Sequence, residues 1–73
     1  MEELLKLLKQ VKNDVDFSTE NNLVLGGVLD SLDILRIVEA IDDYYNISID
    51  IDDVNPSNFN DIHSMYKMIN KYC

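Results

Sequence analysis

The stretch from Gly26 to Tyr45 reads GGVLDSLDILRIVEAIDDYY and decides the fold. Asp30 and Ser31 are residue types that favour helix N-termini, and no glycine or proline follows them before Tyr45. We therefore predict a helix over residues 31–45. At about 100° per residue its apolar stripe faces a core and contains Ile34, Ile37, Val38, Ile41 and Tyr45. The opposite side carries Leu32, Arg36, Glu39 and Asp43.

Two more amphipathic helices are predicted, one near each end of the chain. Residues 2 to about 14 form the first, whose apolar positions are Leu4, Leu7, Leu8, Val11 and Val15. Asn60 or Asp61 can cap the last one, which carries Ile62, Met65, Tyr66 and Ile69 on one face. Between the second and last helices we expect an extended connection through Ile49, a short helical turn over 52–55 and a non-helical turn over 56–58. The predicted fold class is all-α, with four helices and a short third one.

A long loop is predicted between the first and second helices. Serine, asparagine and glycine supply turn chemistry over residues 16–30. Its expected anchors into the core are Phe17, Leu23, Leu25, Val28 and Leu29. Loops of this length are uncommon and often functional, which directs attention to the Asp30-Ser31 step where this one ends.

The size and charge of the chain limit the functions that it can have. A chain of 73 residues allows one domain, residues 1–73, with little room for an enclosed active site. The single cysteine, Cys73, excludes an internal disulfide and a structural zinc site. The net charge of −8 argues against nucleic-acid binding. Charged residues interrupt the leucines near the N-terminus, so we expect no signal peptide or membrane span and a cytoplasmic protein.

The sequence around Ser31 resembles the acyl carrier protein family, which includes peptidyl and D-alanyl carriers. The resemblance comprises the GGVLDSL approach, which matches the family pattern xGxLDSL, and the acidic helix after it. It also comprises the length, the helix order, the apolar loop anchors, the short third helix and the final amphipathic helix, and it covers nearly the whole chain. It implies a four-helix carrier bundle with a long first loop. The stretch from Ile49 through Pro56 to Phe59 is more similar to D-alanyl and specialised carriers than to the housekeeping fatty-acid carrier.

By this resemblance Ser31 carries 4'-phosphopantetheine, and the thiol of that arm holds acyl or aminoacyl cargo as a thioester. A phosphopantetheinyl transferase would attach the group with Mg²⁺ and coenzyme A, so the chain is a substrate and not an enzyme. Physically, a serine at a helix start lies near unpaired N–H groups and the positive end of the helix dipole, which favour a phosphodiester. Taken alone, the residue types favour Ser31 as only the helix cap, and the family resemblance reverses that order.

A recognition face for partner enzymes is predicted along the same helix. In the family, acids here meet basic patches on loading and processing enzymes, and the matching residues are Asp30, Asp33, Glu39, Asp42 and Asp43. Leu32 and Leu35 fall outside the apolar stripe and form an expected docking spot. Arg36 departs from the family, in which many carriers have an acid, and this leaves both the common fatty-acid enzymes and a dedicated set as partners.

Other functions fit the residues less well. A calcium loop starting at Asp50 would have Val54 as a ligand and Asn55 in place of the required glycine, so no metal site is predicted. A hydrolase using Ser31 and His63 would need a shaped cleft that this length does not provide. The remaining alternative is a small acidic adaptor, monomeric like the carrier, that binds a basic partner without being modified. The cargo stays open among fatty-acid, D-alanine and specialised pathways.

Overall fold

The computed structural model describes residues 1–73, and all of its regular structure is helical. The elements in chain order are α1 (Glu2–Val11), α2 (Ser31–Tyr45), a 3-10 turn (Ile51–Asp53), α3 (Pro56–Phe59) and α4 (Ile62–Asn70). The all-α prediction is confirmed, with four α-helices and no strand. Helix α1 packs against α2 and α4, and α3 packs against α4.

One apolar core joins the four helices and the segment between α1 and α2. Ile37 and Ile41 of α2 are completely buried, and the other members of the predicted stripe pack against the core. The remaining buried side chains are Leu4, Leu8, Val15, Phe17, Leu23, Leu29, Phe59, Ile62, Met65, Met68 and Ile69. The predicted inward face of α2 is therefore confirmed, and its position leaves the opposite face of α2 free.

Helix α1 is shorter than the sequence predicted. It ends at Val11, and Lys12 adopts an extended conformation while its N–H still donates to the carbonyl of Leu8. The prediction of a helix to about residue 14 was wrong because Asn13 and Asp14 favour turns over helix interiors. Val15 reaches the core from beyond the helix end and is only 9% exposed.

The predicted third helix is two separate elements. Asp50 caps the 3-10 turn by accepting from the N–H of Asp52, and Asn55 caps α3 by accepting from the N–H of Asn58 at 2.9 Å. The predicted helical turn over 52–55 therefore lies slightly too late, and the non-helical turn over 56–58 is wrong. Asparagine followed by proline reads as a turn, but the same two residues serve as N-cap and first residue of a helix.

Asn60 fastens the segment between α1 and α2 to the second half of the chain. Its side-chain carbonyl accepts from the N–H groups of Val24 and Leu25 at 3.1 and 3.2 Å. Its side-chain N–H₂ donates to the carbonyl of Asn21 and the side chain of Asn22, and its main-chain carbonyl accepts from Leu23. The sequence offered Asn60 only as a possible helix cap, a role that Asp61 takes by accepting from Ser64.

Leu25 is 74% exposed, so its predicted role as a core anchor is wrong. The chain turns at this point, with Gly26 N–H donating to the carbonyl of Asn22 and Gly27 N–H to that of Val24. A Cβ on Gly26 would collide with the Asn22 carbonyl oxygen, and Gly27 has a φ of +77°. The two glycines therefore fix the turn that points Leu25 away from the core.

The C-terminal residues clasp the segment around the 3-10 turn. Lys71 forms an ion pair of 2.8 Å with Asp53, and the Tyr72 hydroxyl donates to the same carboxylate while accepting from the N–H of Asp50 at 2.9 Å. Hydrogen bonds from Lys71, which has the larger effect, and from Tyr72 lower the pKa of Asp53. The hydrogen bond between Tyr72 and Asp53 also raises the pKa of Tyr72. Asp53 therefore serves as the anchor of this clasp.

Neutralising two neighbouring acids should affect the melting temperature differently. Asp53→Asn should lower the melting temperature because Lys71 and Tyr72 lose the charge they contact. Asp52→Asn should leave it unchanged or raise it slightly, because no cation pairs with Asp52 and the chain is strongly acidic. Thermal unfolding in low salt measures both melting temperatures. Equal shifts in the two variants would show that the contacts of Asp53 with Lys71 and Tyr72 do not stabilise the fold.

Candidate functional site

The N-terminus of α2 is closed by two aspartates in a reciprocal arrangement. The carboxylate of Asp30 accepts from the N–H of Asp33 at 2.8 Å, and the carboxylate of Asp33 accepts from the N–H of Asp30 at 3.2 Å. This is a capping box built from two aspartates. Ser31 is the first helical residue, so the interpretation of Ser31 as the cap is wrong.

Ser31 is exposed and next to unpaired main-chain donors. The first hydrogen bond inside α2 runs from the N–H of Ile34 to the carbonyl of Asp30, and the Asp33 N–H is used by the box. The N–H groups of Ser31 and Leu32 precede these bonds and have no acceptor within the chain. The Ser31 hydroxyl therefore lies beside two free donors at the positive end of a helix of 15 residues.

Lys12 joins the end of α1 to this site. Its ammonium lies 3.3 Å from the carboxylate of Asp33, and the two side chains are 26% and 13% exposed. Lys12 could not be assigned to this site from the sequence, because no local pattern pairs two residues that are so far apart in the chain. The ion pair helps to place the start of α2 relative to α1, and it occupies Asp33.

The carboxylate of Asp33 is stabilised in its ionised form. The hydrogen bond from the Asp30 N–H is the main cause that lowers its pKa below the ordinary value of 3.8, and Lys12 adds to it. A lowered pKa in the folded state stabilises the fold above about pH 4, and this contribution is lost as the pH falls through the folded-state pKa. Acid should therefore loosen the start of α2.

Asp33→Asn should remove part of the acid sensitivity. We expect the variant to melt roughly 5 °C below the wild type at pH 7, because weakening a helix cap costs about 1 kcal/mol. The gap should narrow as the pH falls below about 4, because the wild type loses this contribution as the pH falls toward and through the lowered folded-state pKa of Asp33. Melting curves from pH 7 to pH 3 test this, and a gap of constant size would show that the charge of Asp33 contributes nothing.

The structure divides the predicted recognition residues into two groups. Asp30 and Asp33 form the capping box, and the Asp42 carboxylate accepts from the N–H of Ile49 at 3.0 Å and holds the connection after α2. The other group is exposed along the outside of α2 and consists of Leu32, Leu35, Arg36, Glu39 and Asp43. We call these five side chains the outer stripe. Leu32 and Leu35 are 54% and 60% exposed, as their positions outside the core stripe predicted.

Metal ligands, grooves and membrane-spanning helices are the other features of the molecule that could indicate a function. No three or more His, Cys, Asp and Glu side chains are grouped to hold a metal ion. An open groove of about 470 Å³ lies between α1 and residues 13–18, and Ser31 does not line it. His63 is exposed on α4. None of the helices has the length and apolar character that a membrane crossing requires.

Comparison with family models, curated proteins and solved structures found no match for this chain.

Proposed function

We propose that this chain is an acyl carrier protein whose Ser31 is the attachment point of 4'-phosphopantetheine. The observation that supports the proposal is the division of roles at the start of α2: Asp30 caps the helix, and the exposed Ser31 hydroxyl has no part in the capping box. A serine with no structural task, placed next to two free N–H donors, suits a covalently attached phosphodiester. The resemblance of the VLDSL segment to carrier proteins supplies the identity of the group.

The chain's own residues would hold and present the group without activating it. The Ser31 hydroxyl would displace 3',5'-ADP from coenzyme A, and its proton would pass to a base of the transferase, since the site contains no histidine. The N–H groups of Ser31 and Leu32 would then face the phosphodiester oxygens. When bound, the group supplies a flexible arm with a terminal thiol that carries acyl or aminoacyl cargo.

We further propose that the whole chain is arranged as one carrier domain. The four helices would form the carrier bundle, with the segment from Lys12 to Asp30 as its long first loop. The chain would work as a cytoplasmic monomer that meets a transferase, then loading and processing enzymes with basic surfaces. The exposed acids of α2 would act mainly on the rate of association with these enzymes.

Thiol titration tests the proposal because the chain has only one thiol, Cys73, which is exposed. Incubation with coenzyme A, Mg²⁺ and a phosphopantetheinyl transferase should raise the titre from one thiol per chain to two. In the Cys73→Ser variant the titre should rise from no thiol per chain to one, which makes the change easier to detect. A titre that does not change in either protein would refute the proposal.

A further inference from the structure

The outer stripe of α2 carries an ordered set of different chemistries. Two leucines lie toward the N-terminal end, then Arg36, then Glu39 and finally Asp43. All five side chains are exposed and fall within a sector of about 100° on the side away from the core. A face that served only solubility would have no need of two exposed leucines.

Arg36 is the unusual member of this stripe. It is the only lysine or arginine between Asn13 and Tyr66, a range that contains 12 acids. The two ion pairs of the protein are Lys12 with Asp33 and Lys71 with Asp53, so Arg36 is bound to no carboxylate. Asp33, one turn before Arg36, is already occupied by Lys12 and by the N–H of Asp30.

The spacing along α2 sets the geometry that a partner must match. With a rise of about 1.5 Å per residue, Glu39 lies about 4.5 Å and Asp43 about 10.5 Å beyond Arg36 along the helix axis. A uniformly basic partner would meet Glu39 and Asp43 favourably but would place like charge against Arg36, which lowers affinity and slows association. A carboxylate opposite Arg36 would remove this conflict.

We propose that the outer stripe docks a protein surface of mixed charge. That surface presents a carboxylate to Arg36, basic side chains to Glu39 and Asp43, and an apolar contact to Leu32 and Leu35. Arg36 then determines partner choice, because it penalises enzymes whose carrier-binding surface is basic throughout. The inference rests on the proposed function, since it takes the partners to be enzymes that act on the carrier.

The test uses a phosphopantetheinyl transferase with a basic carrier-binding surface, together with variants in which each surface lysine or arginine is changed singly to Glu. With the parent transferase at low salt, Arg36→Glu should raise kcat/KM about tenfold, and Glu39→Arg should lower it by a similar factor. At least one transferase variant should reverse the preference and modify the wild-type chain faster than Arg36→Glu. Raising the salt concentration should shrink each difference.

Lys67→Glu is the matched control. Lys67 is an exposed lysine on α4, is in neither ion pair, and its replacement changes the net charge by the same amount as Arg36→Glu. We expect it to alter kcat/KM less than twofold, because the effect of Arg36 comes from local contact.

Four outcomes would overturn the inference. Equal effects of Arg36→Glu and Lys67→Glu would mean that only the overall charge matters. Failure of every transferase variant to reverse the preference would mean that Arg36 meets no specific partner residue. A wild-type chain that no transferase modifies would overturn the proposed function and this inference with it, whereas normal modification that is indifferent to Arg36→Glu would overturn the inference alone.

Discussion

Ser31→Ala should abolish modification by a phosphopantetheinyl transferase while leaving the melting temperature within a few degrees of the wild type. The loss is expected to be complete because the variant has no hydroxyl at the attachment point. The stability should be nearly unchanged because Asp30 caps α2 and Asp33 completes the box. Intact mass after incubation with coenzyme A and thermal unfolding measure the two effects separately.

Two matched variants give this prediction its controls. Ser48→Ala removes another exposed serine, on the connection after α2, and should be modified like the wild type. Asp30→Ala removes the cap and should lower the free energy of unfolding by about 1 kcal/mol while the hydroxyl of Ser31 remains. If Ser31→Ala is still modified, or unfolds as readily as Asp30→Ala, the division of roles between these neighbours is wrong.

Asn60→Ala should be the most damaging single change to the fold among polar residues. The side chain of Asn60 makes four hydrogen bonds to residues 21–25, and three of them involve main-chain groups. At about 0.5–1.5 kcal/mol for each bond, with the exposed bonds at the low end, we expect a loss of about 2–3 kcal/mol. In a domain of this size, that lowers the melting temperature by roughly 10 °C or more.

The control for this variant is Asn70→Ala, because Asn70 is an exposed asparagine at the end of α4. We expect a change below about 0.5 kcal/mol there. Hydrogen exchange should also distinguish the two, because Asn60→Ala should speed exchange at the N–H groups of Val24 and Leu25. Loss of less than about 1 kcal/mol in Asn60→Ala would show that the apolar anchors alone hold the segment.

The sequence predicted the parts of the fold that depend on local periodicity. The inward stripe of α2 follows from the 3.6-residue repeat, and Ile37 and Ile41 are completely buried as expected. The exposure of Leu32 and Leu35 follows from the same repeat. Start signals alone were less decisive, because Asp30 and Ser31 are both good caps and only the structure assigns the cap to Asp30.

Contacts between distant segments were not predictable. Three contacts join residues that are far apart in the chain and that no local pattern pairs. They are Lys12 with Asp33, Asn60 with residues 21–25, and Tyr72 with Asp53. Leu25 was misplaced for a different, local reason: an apolar residue in a loop points inward or outward according to the turn that follows it, here at Gly26 and Gly27. Likewise, only the structure shows that Arg36 has no carboxylate partner, because this requires the other ion pairs to be located first.

The most direct test of the central claim is the fragment mass spectrum of the peptide that contains Ser31, recorded after reaction of the wild-type chain with coenzyme A, Mg²⁺ and a phosphopantetheinyl transferase. The carrier assignment predicts that a single phosphopantetheine is added and that the fragment ions locate it on Ser31. An unmodified peptide, or the same mass increase located on another residue, would contradict the assignment.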